Sequence, residues 1–248
     1  MNIQKERRAR DTTETKLTKF EEDKTWMIAL DIGCGTGLLA EAISQHASIV
    51  MGVDLSTGML SRAEDLGIYS HLYSGDMIQW LNALGSWWVK EGYLPKTSTT
   101  TTIITDEDED DGVRRKSSGS IIRDVPSTMN MADAPGLQPL LDTHVRLGPL
   151  LIVAADVFVY VGELSEVFKA VSVLLSNSGS FIFTTEHLLS SNSNGYQLQP
   201  SGRFAHTKEY LMRLAYEHDL VLNSMTEVTP RVENGRPVDG LLVVLSKN

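Results

Sequence analysis

Gly33, Gly35 and Gly37 stand at alternate positions in DIGCGTG, with Asp31 two residues ahead of the first glycine. Such a turn leaves backbone N–H groups free and lets a ligand lie against the main chain with no Cβ in the way. Two further acids, Asp54 in GVDLS and Asp76 in SGDM, close later apolar runs. A carboxylate about twenty residues past the first glycine can accept hydrogen bonds from both hydroxyls of a ribose. One after the next strand can accept from an adenine amino group, with Met59 and Met77 flanking the ring. Asp31 sets the charge of the remaining part. A dinucleotide would lay an anionic pyrophosphate on the turn, where a nearby carboxylate repels it, whereas a cationic ligand reverses the preference. The third glycine also comes one position early for G-x-G-x-x-G, whose sixth position is Leu38, and no G-K-[ST] completes a phosphate loop.

These residues need a scaffold that brings successive strand ends to one crevice. From Trp26 the chain alternates short apolar runs with amphipathic ones: WMIALDI, the glycine turn, LLAEAISQHA, IVMGVDLS, GMLSRAEDLG, SHLYSGDM. That alternation predicts an α/β fold, a doubly wound and mostly parallel sheet, which binds ligands outside the carboxyl ends of its strands. The pattern stops over about residues 95–147, rich in Thr, Ser, Asp and Pro, and resumes at the buried run LLIVAADVFVY from Leu150. The interruption predicts a disordered insertion in a surface connection. Residues 1–25 read as a charged, poorly ordered leader, and 26–248 as one domain carrying the insertion. Near the end, two apolar runs joined through ENGRPV predict a hairpin and hence an antiparallel last strand.

Composition excludes several classes. Hydrophobic residues make up 42% and charged residues 22% of 248, as in an ordinary globular protein. No apolar run reaches the 18 or so residues of a membrane span, and no signal-peptide core precedes Trp26, so a cytoplasmic protein without a membrane partner is expected. The single cysteine, Cys34, precludes an internal disulfide, and no metal site is expected. Of the net charge of −10, the run Asp106 to Asp111 supplies six negatives, so the acidity belongs largely to one solvated segment. No basic stripe with interleaved aromatics suggests a nucleic-acid partner.

LDIGCGTG, GVDLS and GDM resemble the first three motifs of the class I S-adenosylmethionine-dependent methyltransferases, and LLSNSGSFIFTTE the region of their fifth strand. The tail from YQLQPSGRF onward, with LIVAADVFVYVGEL, resembles more narrowly methyltransferase domains that follow tetratricopeptide repeats. The resemblance implies S-adenosylmethionine as cofactor, whose sulfonium and ammonium match Asp31, and a seven-stranded sheet ordered 3-2-1-4-5-7-6 with strand 7 antiparallel. It places Asp31, Gly33, Cys34, Gly35, Gly37, Asp54, Leu55, Met59, Asp76, Met77 and Ala155 around the cofactor, with Cys34 as a small packing residue and not a nucleophile. Tyr160, Glu186 and His187 are the catalytic candidates, and Arg203 and His206 could hold an anionic acceptor. Asp156 reads either as an acceptor-side group or as a residue that holds its loop.

The function implied is methyl transfer to a small-molecule or carrier-bound acceptor by in-line displacement. The sequence "ADVF" stands where many nucleic-acid methyltransferases have an Asn/Asp-Pro-Pro-aromatic motif. Family members usually carry a helical cap before the first strand, and the short leader here leaves a binding or regulatory module without turnover as an alternative. A nucleotide-dependent oxidoreductase is a third reading, predicting NAD(H) binding indifferent to Asp31→Asn. The acceptor and the oligomeric state stay open.

Overall fold

The computed structural model describes residues 25–94, 121–127, 129, 150–175, 179–189, 194–233 and 235–247. The leader up to residue 24, the acidic run and most of the expected insertion lie outside them. Strand β1 (Trp26–Ile32) occupies the sheet centre, parallel to β2 (Ala47–Asp54) on one side and β5 (Leu150–Ala154) on the other. Beyond β2 come β3 (His71–Ser74) and a short edge strand β4 (Ile122–Asp124), both parallel. Beyond β5 come β6 (Ser180–His187), then β12 (Gly240–Lys247) antiparallel to it, then β9 (Leu220–Val228).

The order β3-β2-β1-β5-β6-β12-β9 is the predicted 3-2-1-4-5-7-6, antiparallel strand included. Two features differ from expectation. The sheet has ten strands, because β7 (Tyr196–Leu198) and β8 (Phe204–His206) add a hairpin to the carboxyl end of β6, and β4 extends the far edge. Strand β4 also falls inside the segment expected to be structureless: Ile122 and Arg123 pair with Leu72 and Tyr73, and the Ile121 amide donates to Glu64. A three-residue strand has too little period to be read from sequence.

Alternation along β1 sorts the two faces. Ile28, Leu30 and Ile32 face a core with α3 (Met77–Lys90), α4 (Ser165–Leu174) and α5 (Lys208–Glu217), centred on the ring cluster Phe158, Phe168, Phe181 and Phe183. Ala29 faces a smaller core with α1 (Ala40–Ser44) and α2 (Thr57–Asp65), and period 2 puts Asp31 on that same side. Helix starts are fixed where the strands end: Ser56, Asp76 and Thr207 cap α2, α3 and α5 by accepting amide hydrogen bonds, each worth about 1 kcal/mol. The predicted final hairpin exists, its arm carrying the two-residue strands β10 (Val232–Glu233) and β11 (Arg236–Pro237).

Candidate active site

The three glycines of the turn after β1 do different work, which the space around each shows. A Cβ on Gly33 would stand 2.5 Å from a Val157 methyl, so this glycine lets the turn pack against the loop leaving β5. A Cβ on Gly37 would stand 2.7 Å from Leu66 and 3.1 Å from Tyr69. Only Gly35 opens outward: the nearest atom to a Cβ there is Met59 Sδ at 3.8 Å. It is therefore the position where a ligand can approach the main chain. The Gly35 amide donates 2.9 Å to Asp54 Oδ2, and the Ser56 amide 2.8 Å to Asp54 Oδ1. One carboxylate thus locks the glycine turn to the end of β2. Each oxygen keeps a second acceptor site for a ligand hydroxyl.

Met59, on α2, borders this opening and is 47% exposed, while Leu38 and Leu55, on the connections leaving β1 and β2, are 91% and 76% exposed. Single exposed apolar side chains are ordinary, and Met59 beside the open glycine gives a soft apolar edge. Asp76 is an exposed cap whose Oδ1 accepts from the amides of Ile78 and Gln79, leaving Oδ2 toward solvent, with Met77 half-buried beside it.

Asp31 does not lie open in the crevice. It is buried beneath the turn, at 3% exposure, and accepts 2.7 Å from the Tyr69 hydroxyl. Burial pushes its carboxyl up to about 6, against the pull of the Tyr69 bond. The sequence position suggested an exposed carboxylate; the structure places it under the turn instead. Cys34, also buried, has its thiol pushed up by burial and by Asp31 and Asp54, so it stays protonated and packs.

The other half of the crevice is formed by the ends of β5 and β6. Ala155 is half-buried, and Asp156 takes a left-handed backbone (φ 55°) pinned by its amide bond to Thr184 Oγ1. Glu186 is buried and held by the Arg231 guanidinium, which also reaches Asp156 at 2.5 Å. Arg203 pairs with Glu233 at 2.8 Å. Tyr160 is 67% exposed, and His187 is half-buried with its amide tied to Asp239. His206 is a correction. Its ring is fully buried, with Nδ1 2.6 Å from Thr185 Oγ1 and Nε2 3.0 Å from the Gly162 carbonyl, and burial lowers it to about 4. A neutral ring with both nitrogens engaged secures the β8–β6 junction and is not available to hold an acceptor anion.

Sequence reasoning missed Arg231 and Glu233. They lie on the arm beyond β9, and Arg231 meets partners 75 and 45 residues away, so no local spacing marks them. Pro230 seats the arm, since a Cβ on Gly240 would stand 2.3 Å from it. Among the described residues no cluster of His, Cys, Asp and Glu could hold a metal, and no helix is long and apolar enough to cross a membrane.

Residues 29–84 match a family model described as a methyltransferase domain. A ubiquinone biosynthesis O-methyltransferase of Coxiella burnetii is 50% identical over 36 residues, 14% of this chain and 15% of the relative. An 18S rRNA (guanine-N(7))-methyltransferase of Arabidopsis thaliana is 38% identical over 66 residues, 27% of this chain and 23% of the relative. The chain thus spans less than a quarter of either curated relative. An S-adenosylmethionine-dependent methyltransferase from Clostridium acetobutylicum is 16% identical, with a TM-score of 0.49, covering 96% of this chain and 90% of that one. The matched segment runs from β1 into α3. Residues 29–84 are thus similar to a methyltransferase domain, and they carry the glycine turn, Asp54 and Asp76.

Proposed function

We propose that the chain binds S-adenosylmethionine at the Gly35 opening and transfers its methyl group to a small-molecule or carrier-bound acceptor. The observation that carries this is the opening itself: the one turn glycine with free space, locked to Asp54 and bordered by Met59. Such a cradle fits an adenine nucleoside, with Asp54 for the ribose and Asp76 and Met77 for the base. When bound, adenosylmethionine supplies a methyl already activated on a sulfonium. The protein's task is then to hold a nucleophile in line and exclude water, an effect worth up to about 7–11 kcal/mol. Tyr160 and His187 border the acceptor half. Glu186 contributes there by fixing Arg231, since its carboxylate is committed to that ion pair.

The acceptor half argues for a small or carrier-bound acceptor over RNA. Asp156, Glu186 and Glu233 outnumber Arg203 and Arg231, and a polyanion needs the opposite balance. One observation favours a second reading, a binding module without turnover: the acceptor-side carboxylates are already paired with Arg231. Calorimetry with adenosylmethionine and adenosylhomocysteine tests the first claim, and mass spectrometry of methylated products from an extract of small metabolites tests the second. Binding with product supports turnover, binding without product supports the module, and no binding of either nucleoside refutes both.

A further inference from the structure

The carboxylate beneath the turn has one hydrogen-bond partner that contributes nothing else to the site. Tyr69 lies on the loop between α2 and β3, 5% exposed, and donates 2.7 Å to Asp31 Oδ2. Its ring reaches there through a slot walled by two glycines. A Cβ on Gly37 would stand 3.1 Å from Tyr69 Cε2, and one on Gly52 2.9 Å from Tyr69 Cε1. Those two carbons flank the one that bears the hydroxyl, so any side chain at either position would push the phenol off its line to Asp31. The loop is itself fixed, the Ser70 amide donating 2.8 Å to the Val50 carbonyl. A glycine in the turn and a glycine in β2 thus serve the tyrosine, and through it the acid.

We propose that Tyr69 is a positioning residue of the cofactor site, holding the Asp31 carboxylate ionised and fixed under the glycine turn, where its charge favours a cationic nucleoside. The inference rests on reading the crevice as an adenosylmethionine site. The groups that face Asp31 are Tyr69 from the loop, Cys34 from the turn and Asp54 from β2. Burial raises the Asp31 carboxyl, the Tyr69 bond lowers it, and Asp54 raises it further, leaving it at about 6. Cys34 stays a neutral thiol, and burial likewise keeps the Tyr69 hydroxyl protonated and donating. Deleting only that hydroxyl removes the one influence that favours ionisation. The carboxyl then protonates at higher pH, and affinity for a cation is lost earlier on acidification.

The test is calorimetric titration of the wild-type chain, Tyr69→Phe and Asp31→Asn with two ligands between pH 5 and 8. One ligand is adenosylmethionine, the other methylthioadenosine, which keeps the adenosine and a thioether but lacks the sulfonium and the ammonium–carboxylate arm. Wild-type affinity for adenosylmethionine should fall on acidification through about pH 6. In Tyr69→Phe that fall should move up by about one pH unit, the scale set by a hydrogen bond to a charged group, and in Asp31→Asn it should vanish. Methylthioadenosine should bind with no such dependence in any of the three. The phenylalanine ring still fills the slot, and the pH profile of ligand-free melting gives a second reading of the same displacement. An adenosylmethionine profile of Tyr69→Phe that overlays wild type overturns the role of Tyr69. Failure of the wild-type chain to bind either nucleoside overturns the crevice reading, and this proposal with it.

Discussion

Replacing Asp31 with asparagine should make the protein more stable at neutral pH and, at the same time, a poorer binder of a cationic nucleoside. The carboxyl titrates at about 6 in the fold against 3.8 when exposed. Between those values the folded chain binds more protons than the unfolded one. The stabilising contribution is therefore fully present below about 3.8 and is lost as pH rises through 6. The cost at neutral pH is roughly two pKa units, on the order of 3 kcal/mol. An asparagine oxygen still accepts the Tyr69 hydroxyl, so the variant should recover much of that, or at most about 6–12 °C in melting temperature for a chain of this length. The acid side gives a second signature. His206, lowered to about 4, works in the opposite sense: its contribution is complete above 6.5 and is lost as pH falls toward 4. In the wild-type chain the two slopes oppose each other and flatten the profile between pH 4 and 6. In Asp31→Asn the His206 slope stands alone, and the melting temperature should drop steadily on acidification. Scanning calorimetry across pH 4–8 reads both effects. A variant that melts below wild type at pH 7.5 would mean that the buried charge stabilises the fold, and the reasoning that it is retained for binding would fall.

Other substitutions separate the parts of the site. Gly35→Ala has room for its methyl and bears only left-handed strain of about 1–2 kcal/mol, so it should fold with a melting temperature a few degrees lower and lose adenosylmethionine affinity in calorimetry. Gly33→Ala meets Val157 at 2.5 Å and should be the more destabilised of the two in thermal melts, with partial recovery in Gly33→Ala/Val157→Ala. Arg231→Met leaves buried Glu186 without its partner and should cost about 2–4 kcal/mol in urea denaturation, while Arg231→Met/Glu186→Gln should recover part of the loss; additive single effects would show that the pair is not coupled. His206→Gln should lower stability at pH 7 and remove the loss between pH 6.5 and 4, and persistence of that loss would place the titrating group elsewhere.

The groups of the proposed cofactor half meet because they lie close along the chain or at intervals that a βαβ unit imposes. Gly35 and Asp54 are 19 residues apart and meet because β1 and β2 are adjacent parallel strands whose carboxyl ends must coincide. Ser56 and Asp76 cap the helices that follow, and capping rules see them locally. Burial is a different matter. Asp31 was assigned to the crevice because its position before the turn is the same whether the side chain points out or down. Period 2 along β1 sets it on the Ala29 face, and the slot between Gly37 and Gly52, occupied by a tyrosine 38 residues on, gives it a buried partner there. His206 was misplaced for the same reason, since two hydrogen bonds from residues 21 and 44 positions away turn a plausible surface base into a core group.

The acceptor half depends on longer links still, and this separates two kinds of information in the chain. Asp156, Glu186, Arg203 and Arg231 leave four different elements and converge only because the arm beyond β9 folds back over the ends of β5 and β6, with Pro230 seated on Gly240. The family match stops at residue 84, inside α3, before any of these residues occurs. A nucleoside crevice can be specified within one βαβαβ half, because its contacts are amides and acids at consecutive strand ends. The acceptor pocket has no such unit and must be assembled from the second half of the sheet. Substitutions within 29–84 should therefore change nucleoside affinity whatever the acceptor, whereas substitutions at Asp156, Tyr160 and Arg231 should change which acceptor is methylated while leaving adenosylhomocysteine affinity within a few-fold of wild type. A calorimetric survey of both sets that found no such division would show the two halves to be one cooperative site.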